Sequence, residues 1–584
     1  MQIFQKLAPF LRGHSKIVWS VLLMFALSCG ASKSAKLNLN LNNLGQKSVG
    51  QKSVGDSTDS ASTAIETHMN SVAIQNGSTG KKNEIKDQFP SPDLAKQCDT
   101  SRIGSRIVRL SGTQMANTLE NLISGAKNDA QNLDSVYPYT SGFSTNASFG
   151  DLSVPRVEAL QRVSEVVAEN YSKGISAEAQ SCFTGNVTDV CFKKYFNNVT
   201  IALWRRPSDA VELKYYFDFA VNLSKSNSAV KVWKAVVQAA ILDPLFIFRL
   251  ERRNVGADGV EKLLPEDALQ SLAYSVSDAP PSEKMLAIAR AGTLTEQNFK
   301  DYALQLASSP ASSQKIVRFF RELLGYGAAS KHISVAPNLF SPGFIDTAVL
   351  NADELIELNY RNKNSMSELV DGVLPTINSL PDVFGTSTQY KGLLLHPAFL
   401  TRWGDGGNVR VIHRGLTVRR QILCTEIAPP PKGIPTFAAL SPTLDNFQRL
   451  AEHTKSPSCA GCHTYIDSLG LAFEGYDEVG RAKAGFKIPD NAKLGVAFPQ
   501  KETVELKDVK TFLADLAQSQ VYKACMTRNL EQYYRFLGVG GQCFSEPAQP
   551  MAPVSAGINL QDLLIEIFTR EKVAFDSKSQ GSVQ

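Results

Sequence analysis

Apolar residues recur at helical spacing along most of the chain beyond about residue 100. Val157, Leu160, Val163, Val166 and Val167 follow Pro155, which suits a first-turn position. Leu513, Leu516, Val521 and Tyr522 repeat less regularly, and Leu560, Leu563, Leu564, Ile567 and Phe568 mark a last amphipathic helix. Alternating runs are scarce, and no strand-then-helix rhythm predicts a parallel sheet. The expected fold is mostly α, a multi-module helical body with one small, chemically distinct module near the C-terminus.

The first hundred residues follow a different pattern. Lys6, Arg12 and Lys16 precede an apolar run from Val18 to Leu27, broken only by Ser20. That run is too short for a bilayer span and right for a signal-peptide core. It ends in Ala26-Leu27-Ser28-Cys29-Gly30, so residues 1–28 read as a lipoprotein-type signal peptide with Cys29 as the lipidated residue. Simple secretion and an uncleaved anchor are the alternatives. Residues 29–94 are rich in Ser, Asn, Lys and Gly, and GQKSV repeats at Gly45–Val49 and Gly50–Val54. Such a segment buries too little apolar surface to offset its ordering entropy and reads as a disordered tether, as does the tail 576–584.

Composition adds little beyond this. The 584 residues carry a net charge of +5 with no dense basic patch, so nothing points to nucleic acid. No G-x-S-x-G elbow, H-E-x-x-H pair or phosphate loop is present.

The chemistry is concentrated at Cys459-Ala460-Gly461-Cys462-His463, the C-x-x-C-H signature of c-type haem attachment. Two thiols on one helical turn can each form a thioether to a haem vinyl group, and the next histidine falls under the iron as proximal ligand. This implies one haem c, bound through Cys459, Cys462 and His463. Zinc usually needs a second nearby pair, a thioredoxin-like pair needs a βαβ setting, and a disulfide within the motif is the remaining alternative. Nine cysteines less Cys29, Cys459 and Cys462 leave six, an even number that favours disulfides in an exported protein. The short-loop pairs Cys182–Cys191 and Cys525–Cys543 are expected, with Cys98–Cys424 by elimination and buried free thiols as the alternative.

The residues around the motif extend the pattern. His453 precedes it, and Asp467-Ser468-Leu469-Gly470-Leu471-Ala472-Phe473-Glu474-Gly475-Tyr476-Asp477-Glu478-Val479-Gly480-Arg481 follows it. His413-Arg414-Gly415, Leu423-Cys424 and Pro429-Pro430-Pro431 lie upstream. Together they resemble the planctomycete-type cytochrome c-like family of large exported bacterial proteins. Weaker likenesses occur at Trp204-Arg205-Arg206-Pro207, Phe319-Phe320-Arg321-Glu322 and Tyr533-Tyr534-Arg535-Phe536. Ile466 stands where that family usually has Met, and Ser468 where it has Pro.

The resemblance implies haem, export and helical modules rather than a particular reaction. His453 matches its pattern, and His413 falls in a similar stretch. With Met526, about sixty residues downstream as in small cytochromes c, they are the candidates for the sixth iron position; water or an open position is the alternative. Asp467, Glu474, Asp477 and Arg481 read either as a polar shell for the cofactor or as loop and cap chemistry. Trp403-Gly404-Asp405-Gly406-Gly407 reads as a binding loop or as a turn with a packed Trp.

The expected order is N-terminal helical modules at 95–260, a central helical module at 261–407, the haem module at 408–504 and a C-terminal helical module at 505–575. The function implied is a membrane-anchored c-type cytochrome of the bacterial cell envelope that transfers electrons to a partner protein there. A haem-dependent oxidoreductase whose helical body binds a substrate, and a scaffold lipoprotein with a structural haem, are the alternatives.

Overall fold

The computed structural model describes residues 106–575, apart from 131–132, 134–142, 146–153, 183–188, 257–258, 329–342, 376–388, 406–407, 426, 428–442, 478–479, 499–500, 536–554, 556 and 571–572. Cys29, Cys98, Cys543, the tether and the tail lie outside the described residues.

The fold is mostly helical, as the periodicity predicts. Strand β1 (Arg106–Arg109) leads into α1 (Gly112–Leu122), α2 (Val154–Lys173), α3 (Asp189–Trp204), α4 (Ala210–Ser224) and α5 (Ala229–Leu242), then β2 (Phe248–Glu251). Next come α6 (Pro265–Ser277), α7 (Glu283–Arg290), α8 (Glu296–Ala307), α9 (Pro310–Leu324) and α10 (Phe344–Arg361). The last third holds α11 (Val411–Thr417), α12 (Asn446–His453), α13 (Pro457–Leu471), the hairpin β3 (Gly495–Phe498) and β4 (Lys501–Glu505), α14 (Val509–Gln518), α15 (Gln520–Tyr534) and α16 (Leu560–Thr569). Among the described residues, strands pair only in antiparallel twos. No described helix is long and apolar enough to cross a membrane.

The weak period around Leu513–Tyr522 has a local cause. Ser519 separates α14 from α15, and its hydroxyl caps α15 by accepting from the Tyr522 amide. Two helices with different faces therefore share one apolar stretch. In α2 the inward stripe includes Leu160 and Val167, whereas Val166 is exposed. All five apolar residues named in α16 are buried.

Near the N-terminus, Phe192, Phe196, Trp204, Tyr216 and Trp233 pack ring against ring. The indole N–H groups of Trp204 and Trp233 donate to the carbonyls of Ala240 and Ala179, so burial leaves neither unpaired. The Cys182–Cys191 disulfide is present, as expected. A second apolar core draws its residues from Leu263 to Val573, and Phe143 joins it.

The other described disulfide corrects the sequence reading. Cys525 bonds Cys424, not Cys543, and so Cys424 does not pair with Cys98. The preference for short loops fails because α15 packs against the segment that follows α11. This brings the two Cα atoms within 5.4 Å despite a separation of 101 residues. Closing so long a loop restricts the unfolded chain by about 4–5 kcal/mol in the chain-entropy model.

His396 supplies a pH-dependent part of the stability. It is fully buried and caps the short helix Pro397–Thr401, its Nδ1 accepting from the Ala398 amide at 3.1 Å. Nε2 lies 3.0 Å from Asn351 Oδ1, so the ring is a neutral tautomer with its proton on Nε2. Burial pushes its pKa down to about 3. A lowered histidine pKa contributes stability that is complete above the unfolded value of about 6.5 and is lost as pH falls toward 3. Between pH 7 and pH 4.5, wild type is expected to lose about 2 kcal/mol more than His396→Asn, whose side chain can still cap. Urea unfolding at the two pH values measures this. Equal losses in both proteins would refute it.

Candidate functional site

Helix α13 carries the cysteine–histidine motif. Pro457 occupies its first turn, where a missing N–H costs nothing. Cys459, Cys462 and His463 then fall at positions i, i+3 and i+4 and share one face. Cys459 is buried, and Cys462 and His463 are half-buried. Both cysteines are free thiols, so the motif holds no disulfide. Among the described residues, no group of three or more His, Cys, Asp or Glu is arranged to hold a metal ion, so a bare zinc ion finds no ligand set there.

The histidine is oriented from behind. His463 Nδ1 lies 2.8 Å from Asp467 Oδ1, one turn along the same helix. Burial pushes the Asp467 carboxyl above its usual range, and His463 draws it back. With Nδ1 engaged, Nε2 is the nitrogen left to meet a metal, the arrangement in which a carboxylate fixes the tautomer of a ligating histidine. Asp467 is thus a partner of His463, for which the i, i+4 spacing is the signal in the sequence.

A second imidazole completes the cluster. The rings of His453 and His463 meet edge to face with centroids 4.6 Å apart. His453 ends α12, and only three residues separate it from α13. Burial and His463 both lower its pKa.

The other two ligand candidates are placed differently. His413 lies on the outer side of α11, its ring stacked on Trp403 at 5.1 Å while Arg402 covers the same indole at 4.1 Å. Trp403 is therefore packed within a turn. Met526 is buried in the main apolar core on α15. Of the three, His453 alone is in ring contact with His463.

The module is built on a tight helix crossing. Helix α11 packs on α13 through two glycines: a Cβ at Gly415 would stand 2.2 Å from the Ile466 carbonyl oxygen, and one at Gly470 would stand 2.1 Å from that of Val411. Arg414, fully buried, donates to the carbonyls of Leu400, Phe473, Tyr476 and Asp477 and so fixes the chain leaving α13. Arg419 Nε donates to the Tyr465 carbonyl at 2.8 Å. Glu474 binds Lys483 and Asn446, and Asp477 accepts from the Arg481 amide, so these acidic residues serve the loop.

Residues 390–485 match the family model PSCyt3, a protein of unknown function (DUF1588). Residues 266–385 match PSD4, likewise a protein of unknown function (DUF1592). Both are planctomycete cytochrome c-type domains known only as families of unknown function. The PSCyt3 match contains the whole constellation, from Arg402 through His413, Arg414, Gly415 and His453 to Asp467. No curated protein and no solved structure matches the chain.

Beside His463 opens a cleft of about 420 Å³ between α13 and the β3–β4 hairpin. Asp467 and Ser468 line the helix side, and Lys493, Leu494, Thr503 and Glu505 line the other. This size is at the low end for small-molecule sites.

Proposed function

We propose that this chain is a c-type haem protein of the bacterial cell envelope that passes single electrons to a partner protein there, held at a membrane by lipid on Cys29. One observation carries the haem reading. A single helix face presents two free thiols a turn apart and an imidazole whose Nδ1 is already held by Asp467. That donor set fits covalent haem and does not assemble a bare metal site. The cytochrome c-type family matches support the same reading. Anchoring and export rest on the N-terminal sequence alone.

When bound, haem supplies a one-electron iron couple whose potential follows ligand identity and burial. The protein's own residues do the rest. Cys459 and Cys462 fix the position of attachment, and His463 offers Nε2. Asp467 holds that ring by its other nitrogen and raises its basicity. His453, in ring contact with His463, is the second imidazole that would help to hold the group.

Full-length protein matured with haem-attachment machinery should keep haem through a denaturing gel, and Cys459→Ser with Cys462→Ser should abolish the stain. With His453 as ligand, the reduced protein is low-spin and binds CO slowly, and His453→Ala speeds that binding. Wild type free of covalent haem by mass would overturn the proposal. A wild-type protein that binds CO at once would remove His453 from it.

A further inference from the structure

A basic cluster gathers round Trp403, away from the cysteine–histidine helix. Trp403 follows the short helix Pro397–Thr401, and a small hairpin, Gly404–Asp405 paired with Asn408–Val409, returns the chain to Arg410. The Arg410 amide donates to the Trp403 carbonyl at 2.8 Å and closes that hairpin. Helix α11 begins at the next residue. Val411 and Gly415 meet α13, and His413 stands two positions from each, so it points to the opposite side of the helix. Arg402 and His413 both lie against the indole, at 4.1 and 5.1 Å. The cluster is short of acceptors. Arg402 Nε and Trp403 Nε1 are buried donors with no hydrogen-bond partner, a costly arrangement for a folded chain. Burial and Arg410 lower the pKa of Arg402; burial, Arg410 and Arg402 lower that of His413. Among the described residues, no carboxylate acts on either group.

We infer that Arg402, Trp403 and His413 form a binding site for the carboxylate of a small organic acid, on the face of α11 opposite α13. The Arg402 guanidinium is the main contact. Its stem lies against Gly325, the left-handed residue that ends α9, where a Cβ would stand 3.2 Å from Nε. The Nε edge is therefore closed, and Nη1 and Nη2 are the donors that face outward. Two N–H groups in one plane match the two oxygens of a carboxylate, and such charge-assisted pairs are the stronger kind. Stacking on Trp403 holds the guanidinium flat and leaves its rim for the ligand. His413 is exposed and offers a ring nitrogen from the other side of the cluster. The buried Nε–H and indole N–H add positive potential without touching the ligand. One guanidinium without a carboxylate partner suits a single negative charge. The site does not depend on the haem reading, and its failure would leave that reading as it stands.

The test titrates the full chain with sodium acetate at constant ionic strength, with chloride making up the balance. Tryptophan fluorescence reads occupancy, because both basic side chains touch the Trp403 ring, whereas Trp204 and Trp233 are buried in the N-terminal cluster. Wild type should give a saturable change that Trp403→Phe removes. Arg402→Met should weaken acetate about tenfold, since it deletes the charge and the paired donors. Arg402→Lys should recover only part of the affinity, because an ammonium lacks the planar fork. His413→Gln, which keeps a donor, should cost less than Arg402→Met. Arg402 Nε has no hydrogen bond to lose, so Arg402→Met should melt as wild type does. If it fails to fold, the loss in Arg402→Lys carries the test. No saturable change with acetate, a change that survives in Trp403→Phe, or Arg402 variants that bind acetate as wild type does would overturn the inference. Inorganic phosphate is titrated in parallel, and phosphate bound more tightly than acetate would overturn the assignment to carboxylates.

Discussion

Gly470→Ala should unfold the α11–α13 crossing at a cost of about 3 kcal/mol or more, although alanine is the better helix former. Two effects oppose each other. Replacing glycine inside a helix by alanine gains about 1 kcal/mol from backbone entropy and propensity. At position 470, however, the new methyl carbon would lie 2.1 Å from the Val411 carbonyl oxygen and 2.8 Å from its carbon. The obstacle is backbone, so no rotamer change relieves it, and the two helices have to part by more than an ångström. Overpacking of this kind costs about 1–3 kcal/mol even where side chains can shift, and here the displaced element carries the cysteines and His463. Gly415→Ala meets the same barrier from the other helix, 2.2 Å from the Ile466 carbonyl oxygen. Gly461 is the internal control: it lies on α13, and a Cβ there meets nothing within 4 Å. Gly461→Ala should therefore be neutral or stabilise by up to about 1 kcal/mol. Denaturant unfolding of the three variants decides the matter. A Gly470→Ala protein as stable as Gly461→Ala would show that the helices do not cross this closely.

Much of this arrangement was legible before the fold. The C-x-x-C-H spacing already placed both thiols and the imidazole on one helical face, and α13 has that face. The amphipathic repeat at Leu560–Phe568 became a buried helix because a repeat of that kind has one way to hide its apolar side. Pairings between distant segments were not legible. The partner of Cys525 depends on where α15 packs, and nothing local to residue 525 encodes that. His413 and Met526 stood as candidates behind His453 in the sequence. One is turned toward Trp403 and the other is sunk in the core, because helix orientation decides such questions. The triplet His413-Arg414-Gly415 shows the difference most clearly. As sequence it only marked an entry to the module; as structure its residues do three separate jobs on three sides of a two-turn helix.

Arg414 has the job whose loss should cost most. Its guanidinium is completely buried and donates to four backbone carbonyls from two parts of the chain. Leu400, at 3.0 Å, lies in the short helix that His396 caps; Phe473, Tyr476 and Asp477 belong to the turn after α13. A guanidinium suits this place because its donors fan out in one plane, whereas an ammonium on a single stem cannot reach both groups of acceptors at once. Arg414→Met keeps most of the volume and removes every donor. The carbonyls are then left in a dry interior, where each unsatisfied group costs about 1–3 kcal/mol. Relaxation and water entry will recover part of this, so a net loss of about 4 kcal/mol is expected. Arg414→Lys should fall between, because it keeps the charge and only some of the hydrogen bonds. The loop after α13 should also lose amide-exchange protection before the α2–α5 helices do, since Arg414 donates to three of its carbonyls. Denaturant midpoints and exchange rates for both variants test this. An Arg414→Met protein within 1 kcal/mol of wild type, with that loop still protected, would mean the turn after α13 is held by its own packing and not by the arginine.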